Sequence, residues 1–190
     1  MGKGNDYNYD SDRHLVESVR QGEEQAFKGL FFDYYYDLCG FASQMTGSKE
    51  LARDIVQEVF YRIWKGRKEW TIYSSLKAYL FQSVRNEALN QMAWKRRRKQ
   101  TRDKLAIQKK ERRAGPGNGS GTHDKRLINR IWELVAEMPE RRRAVFVLHR
   151  AQGLSYKEIA EVLEISRKTV ENHMGLALSD IREQVEIDPD

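Results

Sequence analysis

Cysteine is all but missing from this chain: Cys39 is the single one in 190 residues. One thiol excludes an internal disulfide, and its place in an apolar helical stripe points to a buried thiol in a reducing compartment. No apolar run approaches the roughly 20 residues that a membrane span needs, so no membrane insertion is expected. The first residues are polar and no apolar core of a signal peptide follows, which points to a soluble, cytoplasmic protein. Strict two-residue alternation between turn signals is also missing, which argues against a β-sheet protein. The four histidines (His14, His123, His149 and His173) are scattered. None pairs with Cys39 or an acidic residue at metal-ligand spacing, so no metal site, cofactor or catalytic centre is expected. What the chain does hold is helical periodicity, aromatic rings (11%) and a concentrated block of positive charge.

Every periodic stretch reads as helix. Ser11 can cap a short helix from Asp12 to Arg20, ended by Gly22. A long helix follows, with Phe27, Leu30, Phe31, Tyr34, Leu38, Phe41, Ala42 and Met45 on one face. Gly47-Ser48 ends it and caps the next helix, predicted from about Lys49 to Glu69 with a wide stripe from Leu51 to Trp64. Residues Trp70 to Ser74 form a connection, and Ser75 opens a helix reaching the basic run. Ala114 to Thr122 holds four glycines with Pro116 and Ser120, the composition of a flexible linker. Further helices are predicted from Asp124 to Met138, stopped by Pro139, and from Glu140 to Gln152, punctuated by Gly153. The fold class is therefore all-α, with two small helical domains at residues 11–99 and 124–187 joined by a linker at 100–123. Met1 to Asp10 and the last three residues carry no motif.

Within the second domain, Gly153 to Leu178 reads as a helix-turn-helix. Ser155 followed by Glu158 is a capping box, in which each side chain takes the other's orphan amide. Ile159, Ala160 and Leu163 form a short apolar stripe, Glu164-Ile165 breaks the helix, and Ser166 can cap a second one. That second helix puts Val170, Met174, Ala177, Leu178 and Ile181 on one face and Arg167, Lys168, Glu171, Asn172 and Gly175 on the other. In this motif the second helix enters the major groove with its N-terminal residues at base edges. The candidate DNA contacts are Ser155, Tyr156, Ser166, Arg167, Lys168, Thr169, Glu171, Asn172 and His173.

Net charge is +6, but its distribution is uneven. Between Trp94 and Arg113, eleven Lys and Arg residues face only Asp103 and Glu111, a local charge of +9 that leaves the remainder of the chain acidic. A positive block of this kind suits a polyanion, and Lys95, Arg96, Arg97 and Arg98 head it. Just before it, Lys77, Phe81 and Arg85 recur every four residues, a mixture of cations and a ring that suits single-stranded DNA. Tyr79, Asn86 and Asn90 lie on a neighbouring face, where asparagine can pair with base edges. On the helix from Lys49, burying the stripe leaves Asp54, Gln57, Glu58 and Tyr61 outward, with Asp54 and Glu58 one turn apart as acceptors for an arginine-bearing partner.

The run Met138-Pro139-Glu140-Arg141-Arg142-Arg143-Ala144-Val145-Phe146-Val147-Leu148, with Gly153 to Ala160, resembles region 4 of bacterial sigma factors of the extracytoplasmic-function class. It is also similar to the C-terminal domain of LuxR-type regulators. Asp54-Ile55-Val56-Gln57-Glu58-Val59-Phe60, Thr46-Gly47, Ala78 to Phe81 and Arg85-Asn86 resemble sigma region 2 in order, and no parallel-strand pattern of a LuxR receiver is present. The resemblance implies a non-enzymatic initiation factor with core RNA polymerase and promoter DNA as partners. Asp54, Gln57, Glu58 and Tyr61 would grip the coiled-coil clamp of the large polymerase subunit. The helix from Ser75 to Lys99 would melt the minus-ten element, and Arg167 to His173 would read the minus-thirty-five element. It implies an anti-sigma factor as a further partner. The alternative is a stand-alone LuxR-type regulator. Departures from the pattern are Tyr79 where tryptophan is frequent, Asn90-Gln91-Met92 in place of an Asp-containing run, and Glu164 where the turn often has glycine.

Overall fold

The computed structural model describes residues 9–73, 75–103 and 123–186. The chain divides into two compact units, Met1–Ala114 and Gly115–Asp190. The first holds α1 (Tyr9–Arg20), α2 (Glu24–Thr46), α3 (Lys49–Lys65), a 3-10 turn (Arg67–Glu69) and α4 (Leu76–Asp103). The second holds α5 (His123–Glu137), α6 (Glu140–Arg150), α7 (Tyr156–Leu163) and α8 (Arg167–Glu186). Among the described residues there is no strand.

In the first unit α2 ends where Gly47 turns left-handed at φ 70°, and Ser48 starts α3 by accepting the Leu51 amide at 3.2 Å. The two helices therefore pack side by side. Their core is Leu30, Leu38, Phe41 and Ala42 from α2 against Ile55, Val56, Val59, Phe60 and Ile63 from α3. Phe27 and Phe31 meet Phe60 edge to face, with centroids at 6.0 and 5.0 Å. Helix α4 lies against both α2 and α3 and buries Leu76, Ala78, Leu80, Phe81, Val84 and Ala88. Each of the larger of these side chains, Leu, Val or Phe, contributes about 1.5–3 kcal/mol when fully buried. The start of α4 is pinned twice: Ser75 accepts the Ala78 amide at 3.2 Å, and Asp12 of α1 accepts the Leu76 amide at 3.0 Å. An anionic acceptor at a helix N-terminus is also favoured by the helix dipole.

Three boundaries differ by three residues or more from those predicted. Helix α1 begins at Tyr9, so Ser11 lies inside it and is not its cap. Helix α3 stops at Lys65 because Gly66 closes it; a Cβ at Gly66 would sit 3.2 Å from the Arg62 carbonyl oxygen. Helix α4 continues through Asp103, past the linker start expected at residue 100, and most of the glycine-rich linker lies outside the described residues. Cys39 is half-buried, and burial pushes its thiol pKa upward.

In the second unit the predicted capping box of α7 is complete. The Ser155 amide donates to Glu158 Oε2 at 2.8 Å, and the Glu158 amide donates to Ser155 Oγ at 3.3 Å. Ser166 starts α8 by accepting the Thr169 amide at 3.0 Å. Val170, Met174 and Ala177 of α8 close over Ile159 and Val162 of α7, Val145 and Leu148 of α6, and Leu154. Val162 takes the buried place expected of Leu163, which is only half-buried, as is Ala160. Arg142 of α6 pairs with Asp180 of α8 and ties the two helices on the outside. Trp132 of α5 meets Phe146 at 6.1 Å.

Candidate nucleic-acid interface

Asp54, Gln57 and Tyr61 are exposed on one side of α3, as their spacing requires. Glu58 shares that side but is engaged within the fold. Its Oε1 takes the Arg62 Nε–H at 2.7 Å, and Arg62 Nη1 reaches Glu87 of α4 at 2.8 Å. Glu87 is 4% exposed and also accepts from Gln91 Nε2 at 2.9 Å. The Glu58 hydrogen bond, helped by Glu87, raises the Arg62 pKa above its already high ordinary value. The outward acceptors expected as an Asp54–Glu58 pair thus reduce to Asp54 with Gln57, while Glu58 belongs to a bridge between α3 and α4.

On α4 the expected face of Lys77, Phe81 and Arg85 is not a surface. Phe81 is fully buried, its ring 5.3 Å from Phe41 of α2, so it is a core residue and cannot stack on a base. The face that carries it packs on α2; Lys77 and Arg85 are half-buried at its margins, an arrangement that long cationic side chains tolerate. Arg85 Nη1 donates to Asn86 Oδ1 at 3.2 Å.

The neighbouring face is different. Tyr79, Asn86 and Asn90 come together along a groove of about 450 Å³, completed by Ser83, Thr71, Trp70 and the Arg62–Glu87 bridge. Trp70 is buried and its ring lies 6.0 Å from that of Tyr79, so it backs the groove. Ser83 is legible in hindsight, one turn from Tyr79 and from Asn86 on the same helix side. Trp70, Thr71 and the buried Glu87 had no periodic signal to mark them. Further along, Lys95, Arg96, Arg97 and Arg98 are all exposed.

On α8, Arg167, Lys168, Glu171 and Asn172 are exposed and Thr169 is half-buried. Arg167 Nε pairs with Glu171 Oε1 at 3.1 Å, which holds both side chains along the outer face. His173 sits at the edge of that face, half-buried, with Nδ1 enclosed and without a hydrogen bond. Ser155 and Ser166 are exposed, but their hydroxyls serve the helix starts. Tyr156 is half-buried with its ring 4.9 Å from His149.

The two units correspond to two known sequence families. The model of sigma-70 region 2 matches residues 30–101, and that of sigma-70 region 4 matches residues 128–181. The chain belongs to the sigma-70 family. It is 26% identical over 184 residues to the ECF RNA polymerase sigma-E factor of Escherichia coli (strain K12), a match covering 93% of this chain and 95% of that protein. The factor of the same description from Haemophilus influenzae is 24% identical, covering 93% of this chain and 96% of that one. Two solved structures share the fold. One is the sigma factor RpoE of Bartonella quintana in complex with the anti-sigma factor NepR (TM-score 0.63, 23% identity, 85% of this chain and 98% of that one). The other is CnrH in complex with the cytosolic domain of CnrY (TM-score 0.61, 21% identity, 94% and 99%). The chain is an extracytoplasmic-function sigma factor: it binds core RNA polymerase, directs initiation at promoter DNA and catalyses no reaction itself. The region 2 match disfavours the stand-alone LuxR-type regulator. Among the described residues, no helix is long and apolar enough to cross a membrane.

Proposed function

We propose that the sigma factor divides its work among three surfaces. Asp54, Gln57 and Tyr61 of α3 dock on the coiled-coil clamp of the polymerase, with Glu58 contributing through its hold on Arg62. The groove of α4 receives an unpaired base of the minus-ten element, and Arg167, Lys168, Thr169, Glu171 and Asn172 of α8 read the minus-thirty-five duplex. Region 2 work falls to residues 11–99 and region 4 work to residues 124–187, with the stretch at 100–123 as tether.

The convergence of Tyr79, Ser83, Asn86 and Asn90 in one groove is the observation that carries this reading. Tyr79 offers a ring edge or face to a base, and the two amides offer paired donors and acceptors to its Watson–Crick edge. Capturing a flipped base offsets part of the few kcal/mol that unstacking costs. Lys95 to Arg98 meet phosphates beside the groove, so promoter binding by the holoenzyme falls steeply with added salt. The solved neighbours are held by NepR and by the cytosolic domain of CnrY. By that likeness this chain too works in the cytoplasm under a protein inhibitor of the anti-sigma kind.

Run-off transcription with core polymerase on a pool of promoter fragments tests the reading. Discrete transcripts that require the protein, that disappear in Asp54→Arg/Gln57→Arg and that fall strongly in Asn86→Ala/Asn90→Ala support it. Transcripts unaffected by either pair of substitutions overturn the assignment of these surfaces.

A further inference from the structure

Helix α1 lies outside the match to sigma-70 region 2, which begins at residue 30. Val16 and Val19 anchor it in the core of the first unit. Its polar residues do something else: they hold the connection between α3 and α4 at both ends. Near the C-terminus of α1, Arg20 Nη2 donates to the Lys68 carbonyl oxygen at 3.4 Å, while Nη1 pairs with Glu17 at 3.2 Å. Beside it Gly22 turns left-handed at φ 87°, and a Cβ there would sit 3.5 Å from Arg67 Nε. Near the N-terminus of α1, Asp12 accepts the Leu76 amide at 3.0 Å, across 64 positions of sequence.

The lengths between these anchors are unequal. Asp12 and Arg20 are eight residues apart on a helix, about 12 Å. Lys68 and Leu76 are also eight apart, and a chain of that length reaches about 26–29 Å when extended. The connection is longer than the helix that spans it, so it folds into a bow. Packing does not take up the surplus. An open cleft of about 480 Å³ lies between α1 and Trp70, Thr71 and Ile72. Trp70 Nε1 is enclosed without a hydrogen bond, so no polar contact fixes the indole. The two anchored ends therefore set the shape of the bow.

That bow is a wall of the α4 groove. Glu69, Trp70 and Thr71 line it together with Tyr79, Asn86 and Asn90. A pocket that reads a base by hydrogen bonds rejects the others only while its walls keep their places, and a misplacement of about 1 Å can cost about 10²-fold.

We propose that α1 sets the base preference of the groove from a distance. Asp12 and Arg20 are positioning residues: neither touches DNA, and each fixes one end of the wall. This rests on the reading of the α4 groove and deepens it by naming what holds the groove in shape.

The test is run-off transcription by holoenzyme on promoters carrying each base in turn at every minus-ten position, read as the ratio of the preferred base to the next best. Asn86→Ala/Asn90→Ala marks the position that the groove reads. Asp12→Ala should narrow the ratio at that same position by about tenfold, the worth of one hydrogen bond to a charged group. Ratios at the other positions should stay within about twofold. Asp12→Asn, which keeps an oxygen for the Leu76 amide, should recover most of the loss. Arg20→Ala removes a longer bond and should narrow the same ratio by about 2- to 3-fold; it decides the matter if Asp12→Ala does not fold. Transcription that falls in equal proportion for all bases would make α1 a structural support only and overturns the proposal. Equal narrowing by Asp12→Ala and Asp12→Asn overturns it too. A wild-type preference that Asn86→Ala/Asn90→Ala leaves unchanged overturns the groove reading, and this one with it. A ratio narrowed by the asparagine pair but by neither α1 variant removes the α1 inference alone.

Discussion

The two helices assigned to DNA, α4 and α8, are built on opposite plans. Helix α8 rests on its unit along a single stripe, with Val170, Met174 and Ala177 buried and Arg167, Lys168, Glu171 and Asn172 exposed opposite. Helix α4 is wedged between α2 and α3, and its buried residues (Leu76, Ala78, Leu80, Phe81, Val84, Glu87, Ala88) occupy several sides. A narrow strip through Tyr79, Ser83, Asn86 and Asn90 opens on the groove. A surface helix declares its functional face in its sequence, because the polar side is the outside. A helix enclosed on several sides does not, because apolar and polar residues appear on all of them.

The largest effect that separates the plans is at two rings of α4 only two residues apart. Phe81→Ala empties a fully buried site and should cost about 3–5 kcal/mol of stability, seen as a lower denaturant midpoint for region 2. Tyr79→Ala should cost far less stability, since Tyr79 is half-buried at the groove. It should instead lower open-complex formation by the loss of one stack, about 1–3 kcal/mol. If Tyr79→Ala unfolds region 2 as readily as Phe81→Ala does, the groove is merely the outer edge of the core.

On α8 the comparison predicts the reverse separation, with loss of function and little loss of fold. Asn172→Ala, at an exposed position, should weaken binding of a minus-thirty-five duplex by about 1–3 kcal/mol if it reads a base. Thermal unfolding should change by less than about 0.5 kcal/mol. Binding that weakens equally on all sequences would make Asn172 a backbone contact.

An intermediate effect is expected at the bridge between α3 and α4. Arg62→Ala leaves the Glu87 carboxylate, 4% exposed, accepting from Gln91 Nε2 but without its arginine, and should cost about 1–3 kcal/mol. Adding Glu87→Leu should return most of it, because a buried charge lacking its counter-ion is replaced by an apolar side chain. A double variant no more stable than Arg62→Ala would show that the aliphatic stem of Arg62, and not its charge, is what α4 needs. Sequence spacing placed Glu58 on the outer side of α3 correctly, yet could not reveal that a residue 29 positions later in the chain, Glu87, shares its arginine. Periodicity reports which side a residue is on, and a tertiary partner decides how that residue is used. The local signals fared differently: Ser48, Ser75, Ser155 and Ser166 all start helices as read, because a cap is settled within four residues of chain. Ser11 is the exception, where α1 extends past the serine to Tyr9.

The smallest effect lies in the turn between α7 and α8, where backbone conformation and not side-chain burial sets the geometry. Glu164 adopts φ 55° and ψ 47°, the left-handed region, while the Ile165 amide closes back on the Ala160 carbonyl at 3.0 Å. A side chain bearing a Cβ costs about 1–2 kcal/mol there. Glycine removes that cost but adds about 0.5–1 kcal/mol of freedom to the unfolded chain. Glu164→Gly should therefore stabilise region 4 by up to about 1 kcal/mol, a rise of a few degrees in its unfolding midpoint. Affinity for the minus-thirty-five duplex should stay the same, since the turn's backbone bonds are kept and α8 keeps its angle. A stabilised variant that binds DNA less well would mean that the strained turn holds α8 at an angle a relaxed turn does not reproduce. A destabilised one would mean that the Glu164 side chain contributes more than its backbone costs. Either outcome would show that α8, like α4, owes its placement to contacts that no local pattern in the chain displays.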